Sequence, residues 1–518
     1  MKAACEARVT FGAPATLHAP RSNFSESIPE LVLHDPLSRE LLAKRHESSH
    51  NCLAVTLVKG RVRILYNILF TLFFVLASPY YFMRMRRRGN WLTGFGQRFG
   101  KYDSKFRQSI TNRHTLWIHA VSVGEVNVCT QLIRALEPRL PNLKIIVSTT
   151  TTTGMGELHD KLPTHIGKVY YPIDRWRYVT RALAAIRPEA VVLVEAEIWP
   201  NFLWRAKSMG IPTFLVNARL SERSYRGYRS FRFLFRPLFA SFTGVGAQNQ
   251  ADALKLQELG CRPEATHVVG SLKFDAAKLD ERRRLDVPEL LAKIGVPAGA
   301  RILVGGSTHA GEEALLGEQF LRLRERYQDL FLVLVPRHFE RSREVGRELS
   351  ARGLKCAYRS EVTATMQLEP REIDCLIVNT TGELKFFYEH ATLIFIGKSL
   401  TASGGQNPIE PAALAKPMLF GPNMQNFAEI TRLFLAQDGA VQVRDAAELE
   451  SRLTELLADS QRREQIGRNA LKVVQENLGP IERTADMIIR HLEGGELYVA
   501  PINRALQGAT QRARGPAA

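Results

Sequence analysis

Leu116-Trp117-Ile118-His119-Ala120-Val121-Ser122-Val123-Gly124-Glu125-Val126 is the stretch that decides the fold. An apolar, β-prone run from Leu116 to Val121 breaks at Ser122 and Gly124. A helical pattern then begins with Val126, Val128, Leu132, Ile133 and Leu136. The order is strand, tight turn, helix, with Glu125 in the first helical turn at the carboxyl end of the strand. Ligands of open α/β sheets collect at that edge. The positive end of the helix dipole favours an ionised carboxylate there, which suits a base that must be ready at neutral pH. A second reading has the acid only complement the dipole, and the stretch alone leaves both open.

The same alternation runs outward in both directions. Strands are expected at Leu116–Val121, Lys144–Ser148, Lys168–Tyr171, Ala190–Val194, Thr213–Val216 and Gly244–Ala247, with amphipathic segments such as Val128–Leu140 and Arg177–Ile186 between them. After a charge-rich stretch from Ala276 to Val296 it resumes at Arg301–Gly305, Phe331–Pro336, Lys355–Ala357, Cys375–Val378, Leu393–Ile396, Met418–Phe420 and Ala440–Val443. Strands alternating with helices predict parallel, doubly wound sheets, hence an α/β chain of two tandem Rossmann-like domains facing a cleft. The boundaries expected are 89–276 for the first domain, 277–297 for a linker, 298–493 for the second domain and 494–518 for a basic tail.

Residues 1–60 are polar and without sustained period, and read as a disordered N-terminal extension. They lack the organisation of a signal peptide. From Ile64 to Phe82 about 19 residues carry no charge, enough to span a bilayer. Arg84, Arg86, Arg87 and Arg88 follow at once, which places the rest of the chain on the cytoplasmic side by the positive-inside rule. Segment 61–88 is therefore expected to be a membrane-anchor helix with a basic flank. Lys59, Arg61 and Arg63 on the other side keep an interfacial helix open, and a buried core helix is the remaining alternative. The net charge is +18, from 70 Lys and Arg against 52 Asp and Glu. That excess suits nucleic acid, an anionic membrane surface or phosphorylated substrates, without choosing among them. Six scattered cysteines with no CxxC pair point to reduced thiols in a cytosolic setting.

Chemistry-bearing residues cluster at expected strand ends. Gly305-Gly-Ser307-Thr308-His309-Ala-Gly311-Glu312 closes a strand and opens a helix, where exposed amides can hold a phosphate. It is not a Walker A loop. Val335-Pro336-Arg337-His338 places an arginine able to clamp a phosphate or carboxylate. Asn379-Thr380-Thr381-Gly382-Glu383 ends the next strand. Ile396 to Pro417 is the most specific: a strand runs into Gly404-Gly405-Gln406-Asn407, Pro408 sits at a first helical position, and Glu410 lies in the first turn. A carboxylate there can accept both hydroxyls of a ribose. In the first half, Glu195 and Glu197 end a strand and should face opposite sides while the chain stays extended. Gly270-Ser-Leu-Lys273-Phe-Asp275 closes that half with a lysine near the cleft. With no HExxH, no CxxC and no Asp-x-Asp, a bound metal has no support, and no cofactor is expected.

Together these stretches resemble one family closely, the 3-deoxy-D-manno-octulosonic acid (Kdo) transferases of lipid A assembly. The matching segments are Phe95-Gly-Gln-Arg-Phe-Gly-Lys-Tyr102, Ser122-Val-Gly-Glu125, Glu195-Ala-Glu-Ile-Trp-Pro-Asn201, Asn217-Ala-Arg-Leu-Ser221 and Gly270–Asp275. The second half adds Ser307-Thr-His, Val335–His338, Gly382-Glu383 and Gly404-Gly-Gln-Asn-Pro-Ile-Glu410. Ala196 departs from the pattern, where a threonine is usual, and so does the long N-terminal extension.

The resemblance implies a GT-B fold, a membrane-associated first half that binds a lipid acceptor, and a second half that binds CMP-Kdo. It implies an inverting transfer of Kdo to a hydroxyl of a lipid A precursor, with Glu125 as the base. Glu195 and Lys273 match positions regarded as transition-state stabilisers. Pro336 and Arg337, Thr381, Gly382 and Glu383, and Asn407, Pro408, Ile409 and Glu410 match donor contacts, to which Ser307, Thr308 and His309 are possible additions. The implied partners are CMP-Kdo, a lipid A precursor and the inner membrane surface. No nucleic acid is expected, since the basic residues are dispersed and no recognition helix is recognisable. A transferase or epimerase using a UDP-sugar is the competing enzyme reading, and donor preference separates the two.

Overall fold

The computed structural model describes residues 62–83, 86, 92–195, 197–276 and 285–492. The expected extension, the tail and most of the basic flank lie outside the described residues, as does part of the expected linker. The unit Asn67–Ala518 carries both sheets.

The first sheet is built from β1 (His114–His119), β2 (Leu143–Thr149), β3 (Gly167–Tyr170), β4 (Pro188–Val194), β5 (Thr213–Ala218), β6 (Gly244–Ala247) and β7 (Thr266–Val268). All pairs are parallel and the order is β3-β2-β1-β4-β5-β6-β7. Period 2 sends alternate residues to opposite faces. Trp117, Val191, Leu193 and Leu215 pack with Phe202 and Phe239 on one face. Leu116, Ile118, Val192 and Val194 pack with Val128, Leu132 and Ile488 on the other. Strands buried on both faces read as continuous apolar runs, which is why they were legible.

The second sheet comprises β8 (Arg301–Thr308), β9 (Leu330–Pro336), β10 (Cys356–Tyr358), β11 (Cys375–Ile377), β12 (Leu393–Ile396), β13 (Met418–Phe420) and β14 (Val441–Gln442), in the order β10-β11-β9-β8-β12-β13-β14. In each sheet the strand order reverses beside a central strand, between β1 and β4 and between β8 and β12. A crevice opens at such a switch point outside the carboxyl ends of the strands.

Two expected boundaries differ from the packing. Within the expected linker, Val287–Lys293 is a helix capped by Asp286, and Val287, Leu290 and Leu291 are buried in the second core. At the other end, helix Pro480–Leu492 does not belong to the second domain's core. Ile481, Ala485, Ile488 and Ile489 are buried in the first. The return is fixed by Asp275, whose carboxylate accepts from Gly479 N at 2.9 Å and Ile481 N at 2.8 Å. Those donors are two of the orphans every helix start exposes.

Helix Val62–Met83 is 22 residues long, with none of its apolar window buried. Leu69, Leu72, Phe73, Leu76, Tyr80 and Tyr81 are all more than half exposed. Such a surface excludes the buried-core alternative and makes the helix a candidate anchor.

Candidate functional site

Glu125 follows β1, at the switch point of the first sheet. Ser122 caps helix Val123–Leu136, its Oγ accepting from Glu125 N at 3.3 Å. The carboxylate returns the contact: Oε1 accepts from Ser122 Oγ at 2.7 Å and Oε2 from Val121 N at 2.8 Å. This is a capping box whose acid reaches one residue past the cap. A Cβ on Gly124 would meet nothing closer than Ser122 Oγ at 3.9 Å, so the turn leaves open space beside the acid.

Only 8% of Glu125 is exposed. Burial is the largest influence on its carboxyl, followed by the charge of Glu195, and they push its pKa up to about 7 against the hydrogen bonds from Val121 and Ser122. The sequence expectation of an acid held ionised by the helix dipole is therefore corrected. Desolvation outweighs the dipole, which contributes about 1 kcal/mol against roughly 3 kcal/mol for a shift of this size. The acid is poised at neutrality rather than permanently charged.

Glu195 stands across the crevice at the end of β4. Its φ is +63°, so the chain leaves the extended conformation there and the expected alternation with Glu197 fails. Both acids instead act on Glu125. Lys273 Nζ lies 3.4 Å from Glu195 Oε1, and Asn217 Nδ2 donates to the same oxygen at 3.5 Å. Asn217, also in the left-handed region at φ +52°, accepts on Oδ1 from Gln248 Nε2 at 3.0 Å and Leu272 N at 3.2 Å. One buried amide near the end of β5 thus ties together the loops after β4, β6 and β7. Trp199 Nε1 donates to Glu197 Oε2 at 2.8 Å, and burial raises the Glu197 carboxyl too.

The halves meet beside these acids. Lys273 Nζ lies 5.1 Å from the Phe427 ring centroid, and Arg219 Nη1 donates to Asn426 O at 3.1 Å. Asn426 N in turn donates to Gly404 O at 2.9 Å, so the glycine loop of the second half is linked to the acid cluster of the first through this one loop.

At the second switch point, Glu312 is fully buried. Its carboxylate accepts from the backbone N–H of His309 (2.9 Å), Lys398 (2.7 Å), Ser399 (2.9 Å) and Leu400 (3.0 Å). This stitch holds the loops after β8 and β12 together. Gly397 permits the approach, since a Cβ there would stand 2.4 Å from Ser307 O. Around the stitch, the His309 and His338 rings meet edge-on at 5.7 Å, and Gln406 Nε2 lies 3.5 Å from His309 Nε2. Burial lowers the His309 pKa, and the cations Lys398 and Arg341 lower it further.

Glu410 follows in the short helix Ile409–Ala413, with Pro408 at the cap, one position before the expected place. Asn407 Nδ2 donates to Glu410 Oε1 at 3.0 Å. Burial raises the Glu410 carboxyl, opposed by the Asn407 hydrogen bond and by Lys161 of the first half, Lys385 and Arg337. Cations from both halves therefore surround it.

The structure thus brings Glu125, Glu195 and Lys273 into one cluster. It lines up Ser307–His309, Pro336–Arg337, Thr381–Glu383 and Asn407–Glu410 along the carboxyl edge of four adjacent strands, β8, β9, β11 and β12. Arg337, Thr381 and Gly382 are exposed. Thr308, Pro336, Pro408 and Ile409 are buried, so a ligand would meet backbone there rather than side chain. Glu383 is engaged by Arg359 Nε at 3.0 Å and Thr380 Oγ1 at 2.6 Å. Sequence reasoning gave no role to Asn217, Gln248, Glu312 or Phe427. Asn217 and Glu312 did stand in quoted motifs, near a strand end and in a first helical turn, whereas Gln248 and Phe427 left no signal. Among the described residues no group of three or more His, Cys, Asp or Glu could hold a metal ion.

Comparison with known proteins gives the family and the fold. Residues 93–276 match the model of a family described as 3-deoxy-D-manno-octulosonic-acid transferase. The chain is 31% identical over 380 residues to a Haemophilus influenzae protein named 3-deoxy-D-manno-octulosonic acid transferase, covering 73% of this chain and 87% of the relative. It is 31% identical over 416 residues to a protein of the same name from Bordetella pertussis, covering 78% and 93%. Among solved structures, UDP-GlcNAc 2-epimerase from Neisseria meningitidis bound to UDP-GlcNAc covers 73% of this chain and 100% of its own at a TM-score of 0.51. At 14% identity that likeness is one of fold, the GT-B arrangement of two parallel sheets.

Proposed function

The chain belongs to the 3-deoxy-D-manno-octulosonic acid (Kdo) transferase family of glycosyltransferases, and on that premise we propose that it transfers Kdo from CMP-Kdo to a hydroxyl of a lipid A precursor, lipid IVA, in lipopolysaccharide core biosynthesis. The observation that carries the reading is Glu125, a buried acid with a pKa near 7 at the first switch point, beside Glu195 and Lys273 and linked through Phe427 to the glycine loop of the other half.

In this scheme the acceptor oxygen forms a bond to the anomeric carbon of Kdo. The bond from that carbon to the CMP phosphate oxygen breaks, and CMP leaves with the electron pair. Attack opposite the leaving group inverts the centre. Glu125 takes the proton of the attacking hydroxyl, which a carboxylate with pKa near 7 does efficiently at neutral pH. Ser122 and Val121 each occupy one acceptor position on its two oxygens and leave the remaining lone pairs for the hydroxyl. Lys273, oriented by Glu195, and Arg337 supply positive charge to the developing phosphate charge in a site closed by the approach of the two halves. Arg337, the Thr381–Glu383 loop and Asn407–Glu410 would hold the nucleotide, with Glu410 accepting from the ribose hydroxyls. CMP is a stable anionic leaving group, so cations on the protein suffice as its counter-charge.

The apolar helix Val62–Met83 supports a site at a membrane, and Arg84, Arg86, Arg87 and Arg88 after it in the sequence favour the cytoplasmic side of the inner membrane for both sheets. The test is an assay of the purified full chain with CMP-Kdo and lipid IVA, products resolved by mass. Kdo-extended lipid with release of CMP is expected, and turnover of UDP-sugars with CMP-Kdo ignored would overturn the reading.

A further inference from the structure

The first half carries a second concavity, at the end of its sheet away from the acid cluster. His114 opens β1 and Glu189 stands second in β4, and both line a cleft of about 890 Å³. Glu125 and Glu195 follow the carboxyl ends of the same two strands, roughly 20 Å away at about 3.3 Å per residue. The walls come from helix Ser104–Ile110, helix Trp176–Ile186 and the turns that lead into the two strands. None of the residues given a part in transfer lines it.

Positive charge dominates the lining. Lys101, Arg107, Arg113, Arg181 and Arg187 all line the cleft and all are exposed. None of the five enters an ion pair among the described residues. The one acid in the wall is Glu189, whose Oε1 lies 2.9 Å from His114 Nδ1. Asp103, beside Tyr102 in the sequence, is not part of the wall and caps helix Ser104–Ile110, accepting from Phe106 N at 2.7 Å. Two turns set cations in place. Asn112 at φ +56° turns the chain into Arg113 and β1, and Arg187 at φ +50° ends helix Trp176–Ile186 in the left-handed position that glycine ordinarily takes.

Like charges converging on one concavity repel one another and focus a positive field into it. The volume is that of a small-molecule site, and the guanidinium fork matches phosphate oxygens in pairs. A ligand with a single negative charge would leave most of the five cations unmatched, so the lining calls for several. Tyr102 adds a neutral donor. It lines the cleft at only 8% exposure, and its hydroxyl has no hydrogen-bond partner among the described residues. Burial pushes its phenol above the ordinary value, so the proton stays on the oxygen at neutral pH. A phosphate oxygen would give that donor the acceptor it lacks.

We propose that this cleft binds a small soluble molecule carrying two or more phosphate groups, gripped by the five cations and by the Tyr102 hydroxyl. The site is separate from the one at the carboxyl edge, and it stands whether or not the chain transfers Kdo.

The probe is inorganic tripolyphosphate, titrated calorimetrically into the full chain in neutral detergent micelles. Binding is expected, and it should weaken as salt rises. R113Q/R181Q should weaken it at least about tenfold with an unchanged melting temperature, the two side chains being exposed. Tyr102→Phe should weaken it roughly fivefold and melt no lower than the parent, because the hydroxyl it removes has no partner to lose. R223Q/R226Q, which removes two exposed arginines of the same half from helix Glu222–Ser230, should bind as the parent does. No binding, an equal loss in R223Q/R226Q, or full binding by R113Q/R181Q or by Tyr102→Phe would overturn the proposal. Loss in Arg337→Gln alone would put the probe in the second half and overturn it as well. Adenosine triphosphate should displace the probe. Displacement by vesicles of an anionic phospholipid and not by the nucleotide would overturn it in favour of a lipid headgroup. Kdo transfer enters none of these readouts, so the two proposals fail separately.

Discussion

Lys273 Nζ lies 3.4 Å from Glu195 Oε1 and 5.1 Å from the ring centroid of Phe427, so one cation of the first half joins the acid beside Glu125 to a loop of the second. The contact couples the electrostatics of the base to the approach of the two halves. Glu195 raises the Glu125 pKa, and Lys273 is ion-paired with Glu195. We predict that Glu195→Gln moves the acid limb of the kcat/KM profile to lower pH and Lys273→Met moves it higher, each with a loss of roughly a hundredfold or more in kcat. Limbs that stay where they are in both variants would separate Glu195 from Glu125.

The Glu125 pKa has its own consequence for stability. Burial raises the folded value to about 7, from an ordinary carboxyl value near 4.5. The folded chain therefore holds this proton more tightly than the unfolded chain. The benefit is full below about 4.5 and is lost as pH rises through 7, where the ionised acid costs roughly 3 kcal/mol at most. Glu125→Gln keeps an acceptor for Val121 N and removes the titration. Its melting temperature should exceed that of the parent at pH 8, with the gap closing towards pH 4.5. A gap independent of pH would show that the acid titrates normally.

Glu410 tests the donor side. Its carboxyl is set among Asn407, Lys161, Lys385 and Arg337. Glu410→Ala should raise KM for CMP-Kdo by roughly tenfold or more while kcat changes less, the pattern of a lost ground-state contact. An unchanged KM would remove Glu410 from the nucleotide site.

Glu312 should behave differently. It accepts from four backbone N–H groups and is fully buried, so Glu312→Ala orphans all four. Each unpaired buried donor costs about 1–3 kcal/mol. The second half should lose its cooperative unfolding transition, measured by calorimetry, before any question of catalysis arises. A variant that melts within a degree or two of the parent would show that the stitch is dispensable.

Most strands were readable because both faces of each sheet are covered, which forces continuous apolar runs such as Leu330–Pro336. β7 was missed: Thr266, His267 and Val268 form a three-residue, largely exposed edge strand with no run to see. The helix Val287–Lys293 hid among charged neighbours, its buried face only three residues. That Pro480–Leu492 returns to the first core was not readable at all, because periodicity shows that a face is buried and not against what. In the site, glycine turns and strand-end acids marked Glu125, Glu195 and Glu410. The turn at Glu195 escaped notice because a non-glycine residue at φ +63° leaves no sequence signature. The four donors gathered by Glu312 come from segments nearly 90 residues apart, so only the folded chain shows them.

The most direct measurement is single-turnover transfer by Glu125→Gln, with CMP-Kdo and lipid IVA, set beside CMP binding by the same variant. A base at this position predicts a loss of at least about a hundredfold in the transfer rate, with CMP bound as tightly as by the parent chain. Transfer within tenfold of the parent, with the lipid product carrying the mass of added Kdo, would contradict it.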